Sequence, residues 1–250
     1  MQLFIDSFEK CSSMAAAEIE KLLREKPEAV LGFATGSTPL QLYQNLAMAY
    51  REGRIDFSKA KAFNLDEYIN LPKDHPCSYY YYMKENLYQH INMKEGNYRL
   101  PDGMAKNIDE ECNSYEDAIC RAGGIDLQVL GIGHNGHIGF NEPGTPFESR
   151  THIINLSSRT IEANSRFFNS PDEVPKQALT MGIKTIMRAR RLILLVKGAD
   201  KAEILRKALL GPVTAEVPAS ILQLHPNIMA FVDEEAASSL NKCCCNNLNL

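Results

Sequence analysis

The chain has 250 residues, 44% of them hydrophobic and 23% charged, an ordinary globular composition that excludes fibrous and disordered classes and suffices for one large domain. A formal net charge of −4 argues against nucleic acid as the main partner, which needs a basic surface, but it leaves room for a local cluster of Arg and Lys around an anionic substrate. No apolar run approaches the roughly 20 residues of a membrane span, so no membrane partner is expected.

Residues from Met1 onward lack the basic stretch, long apolar run and small-residue cleavage site of a secretory leader, and a cytoplasmic location is expected. Among the seven cysteines, Cys11, Cys77, Cys112 and Cys120 are scattered, which fits reduced thiols better than a disulfide framework. Cys243, Cys244 and Cys245 are adjacent, a poor geometry for a shared metal, and residues 243–250 read as a Cys- and Asn-rich tail.

In chain order, the first predicted strand is 29–34. It runs into Thr35, Gly36, Ser37 and Thr38, with Thr38 read as a helix cap and Pro39 as the first helical residue. Backbone N–H groups, hydroxyls and the positive end of a helix converge at such a turn, which suits a phosphate. No Walker Gly-Lys-Ser/Thr follows, and an ordinary capped βα turn looks the same, so the segment alone leaves both readings open. The next strand, 61–65, delivers Asp66 and Glu67 at its carboxyl end, where a general base would be partly desolvated; a pair of capping or surface acids is the alternative. From Pro76 to Tyr82 a helix begins, and its tyrosines suit packing. Behind Asn107 as a cap, with Glu110 completing a capping-box-like start, Ile108, Cys112, Tyr115 and Ile119 recur at helical spacing.

Strand 126–132 leads into a glycine-rich loop that extends to Gly144. The loop formally contains G-x-G-x-x-G, but Gly139, Pro143 and Gly144 disfavour the helix that a dinucleotide site requires, and that reading is rejected. His134, Asn135, His137, Asn141 and Glu142 crowd this flexible backbone. His137, with a carboxylate five residues later, resembles an imidazole oriented by an acid. His134 and His137 could offer two metal ligands, but no third has a recognisable spacing, and no metal is expected. Residues 157–185, rich in polar and Gly/Pro positions between two strands, form a candidate lid. Arg159, Arg166 and Lys201, at or near predicted helix or loop starts, could complete an anion site or remain surface charges. Arg190 and Arg191 are expected on the surface before strand 191–197; helix 201–210 and strand 227–232 complete the pattern.

Continuous apolar strands alternating with amphipathic helices predict an α/β fold: an open, doubly wound, mostly parallel sheet with helices on both faces, a modified Rossmann-like arrangement in a single domain spanning 1–242. In such sheets ligands bind beyond the carboxyl ends of the strands.

The motifs F-A-T-G-S-T-P-L, F-N-L-D-E-Y followed by H-P-C-S-Y-Y, G-I-G-H-N-G-H-I-G-F-N-E-P-G, A-N-S-R-F-F, V-P-K-Q-A-L-T-M-G and L-Q-L-H-P occur in that order between Met1 and Asp233. Together they resemble the glucosamine-6-phosphate deaminase family. The resemblance implies conversion of α-D-glucosamine 6-phosphate and water to fructose 6-phosphate and ammonia, with no cofactor. It assigns ring opening to His137, with Asn135 and Glu142 orienting or tuning the imidazole, and proton transfer from C2 to C1 to Asp66. Phosphate binding would fall to Thr35, Gly36, Ser37, Thr38, Arg166 and Lys201.

Two departures from the family pattern stand out. Asn135 occupies a position where some members carry Asp, so its amide can support the imidazole but cannot share a charge with it. Long, allosterically activated members carry a basic patch where this chain has His152 and Ile154, and they have an extended C-terminus. The allosteric site is therefore expected to be absent, with no activation by N-acetylglucosamine 6-phosphate, and the protein to be a monomer or a small homo-oligomer. The rival readings are a 6-phosphogluconolactonase, which the Asp66 and Asn141-Glu142 segments fit less well, and a non-catalytic sugar-phosphate sensor.

Overall fold

Strand periodicity accounts for the core of the computed structural model, which describes residues 1–157, 161–162, 165, 168, 170 and 173–240. In chain order the strands are β1 (Gln2–Asp6), β2 (Val30–Phe33), β3 (Lys61–Asn64), β4 (Asp66–Tyr68), β5 (Tyr98–Arg99), β6 (Leu127–Leu130), β7 (His152–Asn155), β8 (Gln177–Thr180), β9 (Leu192–Val196) and β10 (Ile228–Asp233). The described α-helices are α1 (Phe8–Glu25), α2 (Leu40–Arg51), α3 (Tyr79–Asn86), α4 (Ile108–Arg121), α5 (Ile183–Met187) and α6 (Ala202–Leu210).

Seven strands form one wholly parallel sheet in the order β1-β10-β9-β6-β2-β3-β5. Because successive side chains point to opposite faces, each central strand feeds two cores. Leu31, Phe33, Ile193, Leu195, Met229 and Phe231 pack under α1, α2 and α3. Val30, Leu192, Leu194, Val196, Ile228 and Val232 pack with Tyr115 and Ile119 of α4, Ile186 of α5 and Leu205 of α6 on the other face. The sheet is thus doubly wound, as its apolar runs predict. Each large aliphatic side chain so buried contributes roughly 1.5–3 kcal/mol.

The predicted strand at 29–34 is β2, and those at 61–65, 126–132, 191–197 and 227–232 are β3, β6, β9 and β10, each matched to within two residues. Asn107 caps α4 as expected, accepting the N–H of Glu110 at 3.2 Å. Thr38 does not cap α2: Pro39 already has helical angles (φ −79°, ψ −3°) and no side chain makes a cap hydrogen bond, while the first turn closes from Tyr43 N–H to the Pro39 carbonyl at 3.0 Å. The Thr38 hydroxyl is therefore not spent on the helix.

A second, antiparallel sheet of order β4-β8-β7 has no counterpart in the sequence pattern. Leu65 joins it to the main sheet, its N–H donating to Phe33 (3.0 Å) and its carbonyl accepting from Met181 (2.6 Å). The next residue, Asp66, pairs with Thr180. Residues 177–185, the later part of the stretch expected to act as a lid, hold β8 and the start of α5, with Ala178, Leu179, Thr180 and Met181 fully enclosed. Ile161 and Phe168, from the middle of that stretch, pack on the cluster of Tyr68, Leu71 and Phe140. The tail at 243–250 lies outside the described residues.

Candidate active site

Two neighbouring strands, β2 and β6, define the switch point of the sheet: the chain leaves β2 toward β3 on one side and β6 toward β9 on the other. Their following loops diverge there and open a crevice at the carboxyl ends of the strands. A cleft of about 220 Å³ occupies this place, walled by residues 34–39 after β2, Leu65 and Asp66 after β3, residues 131–135 with His137 after β6, and Tyr79, Phe140 and Lys201.

The β2 wall is a backbone cradle. The Ala34 carbonyl accepts from the Tyr43 hydroxyl, and that of Gly36 accepts from the Tyr82 hydroxyl at 2.5 Å. Gly36 has φ +105°, a conformation that glycine adopts without a Cβ penalty. Among the described residues, no backbone carbonyl accepts the N–H groups of Gly36, Ser37 or Thr38. With the N-terminus of α2 behind them, these donors suit an anion.

The adjacent acids part company here. Glu67 accepts the N–H groups of Tyr68, Tyr79 and Tyr80 at 2.8–2.9 Å, which fastens the first turn of α3 to β4. Burial pushes its carboxyl up to about 7 against the pull of these donors. Asp66 points the other way along the strand. It is 5% exposed, lines the cleft, and its Oδ1 has no hydrogen-bond partner among the described residues. Burial first, and the Glu67 charge second, raise its pKa to about 8, while a hydrogen bond to the Thr35 side chain opposes the rise. A desolvated carboxyl with a free oxygen facing a cleft is the environment of a general base.

The loop after β6 is pulled down over this carboxyl by β8. Phe140 N–H donates to Thr180 Oγ1 at 3.0 Å, and the Asn141 amide donates to the carbonyls of Met181 (2.9 Å) and Ile138 (2.8 Å). Gly139 passes so close that a Cβ there would stand 2.9 Å from Thr180 Oγ1 and 3.6 Å from Asp66 Oδ2. The His137 ring lies against Gly133, where a Cβ would come within 2.2 Å of its Nε2. Its Nδ1 lies 3.8 Å from Glu142 Oε2. Glu142 stands behind the imidazole rather than on the cleft; it is buried and accepts from the Asn135 amide and from Ser157 Oγ at 3.2 Å. Asn135 also accepts the backbone N–H of His137 at 3.2 Å. The amide thus grips the acid and the main chain of the loop.

Of the residues singled out in the sequence, Thr35, Gly36, Ser37, Thr38, Asp66, Asn135, His137 and Lys201 share the cleft, with Glu142 one layer behind. Arg159 and Arg166 lie outside the described residues. His134 and His137 do not converge: His134 turns to Asp200 at 2.6 Å and His137 to Glu142. Among the described residues no group of three or more His, Cys, Asp and Glu side chains is placed to hold a metal. Arg190 is on the surface as expected, and from there its guanidinium meets buried Asp126 at 3.0 Å. Tyr79 is a cleft residue that the sequence reading assigned to packing. Its hydroxyl donates to that of Tyr68 at 3.3 Å, and it shares the cleft wall with Thr35. The only hint was its place just after Ser78, the residue that caps α3.

A parallel α/β sheet with an anion cradle, a buried carboxyl and a carboxylate-backed imidazole at its switch point has the make-up of an α/β enzyme with an anionic substrate. The chain belongs to the family of glucosamine-6-phosphate isomerases and 6-phosphogluconolactonases, whose model matches residues 6–230. Within that family it is 52% identical over 239 residues to a glucosamine-6-phosphate deaminase of Clostridium botulinum, covering 96% of this chain and 98% of the relative. It is 51% identical to the glucosamine-6-phosphate deaminase of Thermoanaerobacter pseudethanolicus, over 93% of this chain and 92% of that one. A solved monomeric glucosamine-6-phosphate deaminase superposes with a TM-score of 0.94 at 44% identity, covering 96% of this chain and all of its own. The 6-phosphogluconolactonase of Thermotoga maritima matches over 93% of this chain and 99% of its own with a TM-score of 0.73, but at 22% identity it shares the fold alone. No described helix is long and apolar enough to cross a membrane.

Proposed function

We propose that this chain converts α-D-glucosamine 6-phosphate and water into fructose 6-phosphate and ammonia. The observation that carries the reading is the buried, partly unpartnered carboxyl of Asp66 on the same cleft as the phosphate cradle and the His137 imidazole. The phosphate sits on the N–H groups of Gly36, Ser37 and Thr38, with the hydroxyls of Thr35, Ser37 and Thr38 and the Lys201 cation around it; the family resemblance adds Arg166, which lies outside the described residues. His137 moves a proton between the O1 hydroxyl and the ring O5 and opens the sugar. Asp66 takes the C2 proton and returns one at C1, which leaves an imine at C2. Water adds to that imine and ammonia departs. The substrate's ammonium favours the ionised form of the buried carboxyl by direct attraction.

Glu142 orients the imidazole from behind, and Asn135 supports Glu142. A graded result is expected. Glu142→Gln lowers kcat on the order of ten- to a hundredfold, as expected when the acid behind a proton-transferring imidazole loses its charge, and Asn135→Ala lowers it less. A larger loss for Asn135→Ala would reverse the order of these roles.

Ammonia release from glucosamine 6-phosphate is the direct test, and no ammonia from the parent chain would sink the reading. Hydrolysis of 6-phosphogluconolactone instead would favour the lactonase. The same assay at subsaturating substrate tests regulation. With His152 and Ile154 in place of basic residues, N-acetylglucosamine 6-phosphate is expected to leave the rate unchanged. Likeness to a monomeric deaminase supports a monomer or small homo-oligomer, and the free thiols of Cys11, Cys112 and Cys120 fit a cytoplasmic enzyme.

A further inference from the structure

The turn that carries Lys201 is anchored from two sides. From beneath, Asp233 at the end of β10 accepts the N–H of Gly198 through both oxygens, at 3.0 and 2.9 Å, and that of Ala236 at 2.8 Å. From across the cleft, His134 Nε2 lies 2.6 Å from Asp200 Oδ2. The Asp200 carboxylate folds back over Gly198, where φ is +94° and a Cβ would stand 2.7 Å from Asp200 Oδ1. An ionised carboxylate only accepts, so the imidazole nitrogen that faces it carries the proton.

His134 belongs to the loop that also bears Asn135 and His137, and Asp200 immediately precedes Lys201. Their bond ties the loop of the imidazole to the turn of the lysine. With side chains 41% and 59% exposed, the pair adds little to global stability. Its leverage is local. A lysine is a point charge on a flexible stem, and its usefulness to a phosphate depends on where its main chain is held.

We infer that His134 and Asp200 form a brace that positions Lys201 toward the phosphate end of the cleft. This deepens the reading of the cleft as a sugar-phosphate site and rests on it. Both act as positioning residues.

The test compares His134→Ala, Asp200→Ala, the double variant and His134→Gln, which keeps an N–H donor, with the parent. Binding of inorganic phosphate is measured by titration calorimetry, and KM and kcat for glucosamine 6-phosphate by ammonia release. Each alanine variant is expected to weaken phosphate binding and raise KM about three- to tenfold, as for the loss of one charge-assisted hydrogen bond that orients a ligand group. KM should rise by more than kcat falls. The double variant should lose no more than the worse single, and His134→Gln should lose less than His134→Ala. Parent-like phosphate affinity and KM in both singles, summed losses in the double, a fall in kcat that exceeds the rise in KM, or equal loss in the Gln and Ala variants would each overturn the brace. Should the parent release no ammonia, the substrate reading fails, while the phosphate titration still decides the brace.

Discussion

Replacing Asp66 by asparagine lowers ammonia release about a hundred- to ten-thousandfold, the range expected when a general base is lost, and makes the folded protein more stable in alkaline solution. The two effects share a cause. An unfolded aspartate titrates near 3.9, whereas burial holds the Asp66 carboxyl protonated up to about 8. Between these values the native state keeps a proton that the unfolded state has released. Stability therefore falls as pH rises through this window, and the penalty is complete above about pH 8. Asparagine carries no charge to desolvate. Its Tm advantage over the parent should be small near pH 4 and grow to about 5–15 °C at pH 9, equivalent to a few kcal/mol. The same carboxyl places the acid limb of the parent's kcat/KM profile near pH 8, with the rate rising as the base ionises. Activity retained in the variant removes Asp66 as the base. A Tm difference that does not vary with pH would show that its burial is not penalised in this way.

The second large effect is on stability alone. Asp126 lies at the amino end of β6, away from the cleft, and is 4% exposed. Its carboxylate accepts from Lys26 Nζ at 3.0 and 2.9 Å, from Arg190 Nη1 at 3.0 Å and from the backbone N–H of Val30 at 2.8 Å. It thus ties α1, β2 and the start of β9 together from below. Removing one partner of a buried ion pair costs about 3–5 kcal/mol. Lys26 and Arg190 are 40% and 57% exposed and can turn to water, which brings the expected cost of Asp126→Ala to about 2–4 kcal/mol. In a chain of this size that lowers Tm by about 5–15 °C. Asp126→Asn keeps an acceptor for Val30 and should lose roughly half as much. Thermal unfolding of both variants, with kcat measured well below the lowered Tm, checks the point. A change in kcat would contradict the separation between this end of the sheet and the cleft.

The part of the site legible in the sequence was that written in contiguous residues. The turn at Thr35 to Thr38 and the loop from Gly131 to Gly144 announced themselves by composition, because a backbone that must approach a ligand or its own side chains needs glycine and short polar residues. Asp66 was legible as an acid at a strand end, but its separation from Glu67 was not. That distinction rests on α3 packing against β4, which brings the N–H groups of Tyr79 and Tyr80 to Glu67 and leaves Asp66 facing the cleft. For the same reason Tyr79 read as a packing residue. Its hydroxyl acquires a functional setting only when Thr35 and Tyr68 arrive beside it.

By itself the sequence determined the doubly wound sheet, since the runs that became β2, β3, β6, β9 and β10 are apolar on both faces and must be covered on both. It also determined which loops hold the polar chemistry. Only the tertiary structure decided the short strands β4, β7 and β8, which carry few residues and little propensity of their own and exist because each finds a partner far along the chain, as Asp66 finds Thr180. From that pairing follow the burial of the carboxyl, the loop drawn over it, and the acid set behind His137. The bond from His134 to Asp200 belongs to the same class. These are contacts between distant segments, and their energy appears only once the sheet has brought the strand ends together.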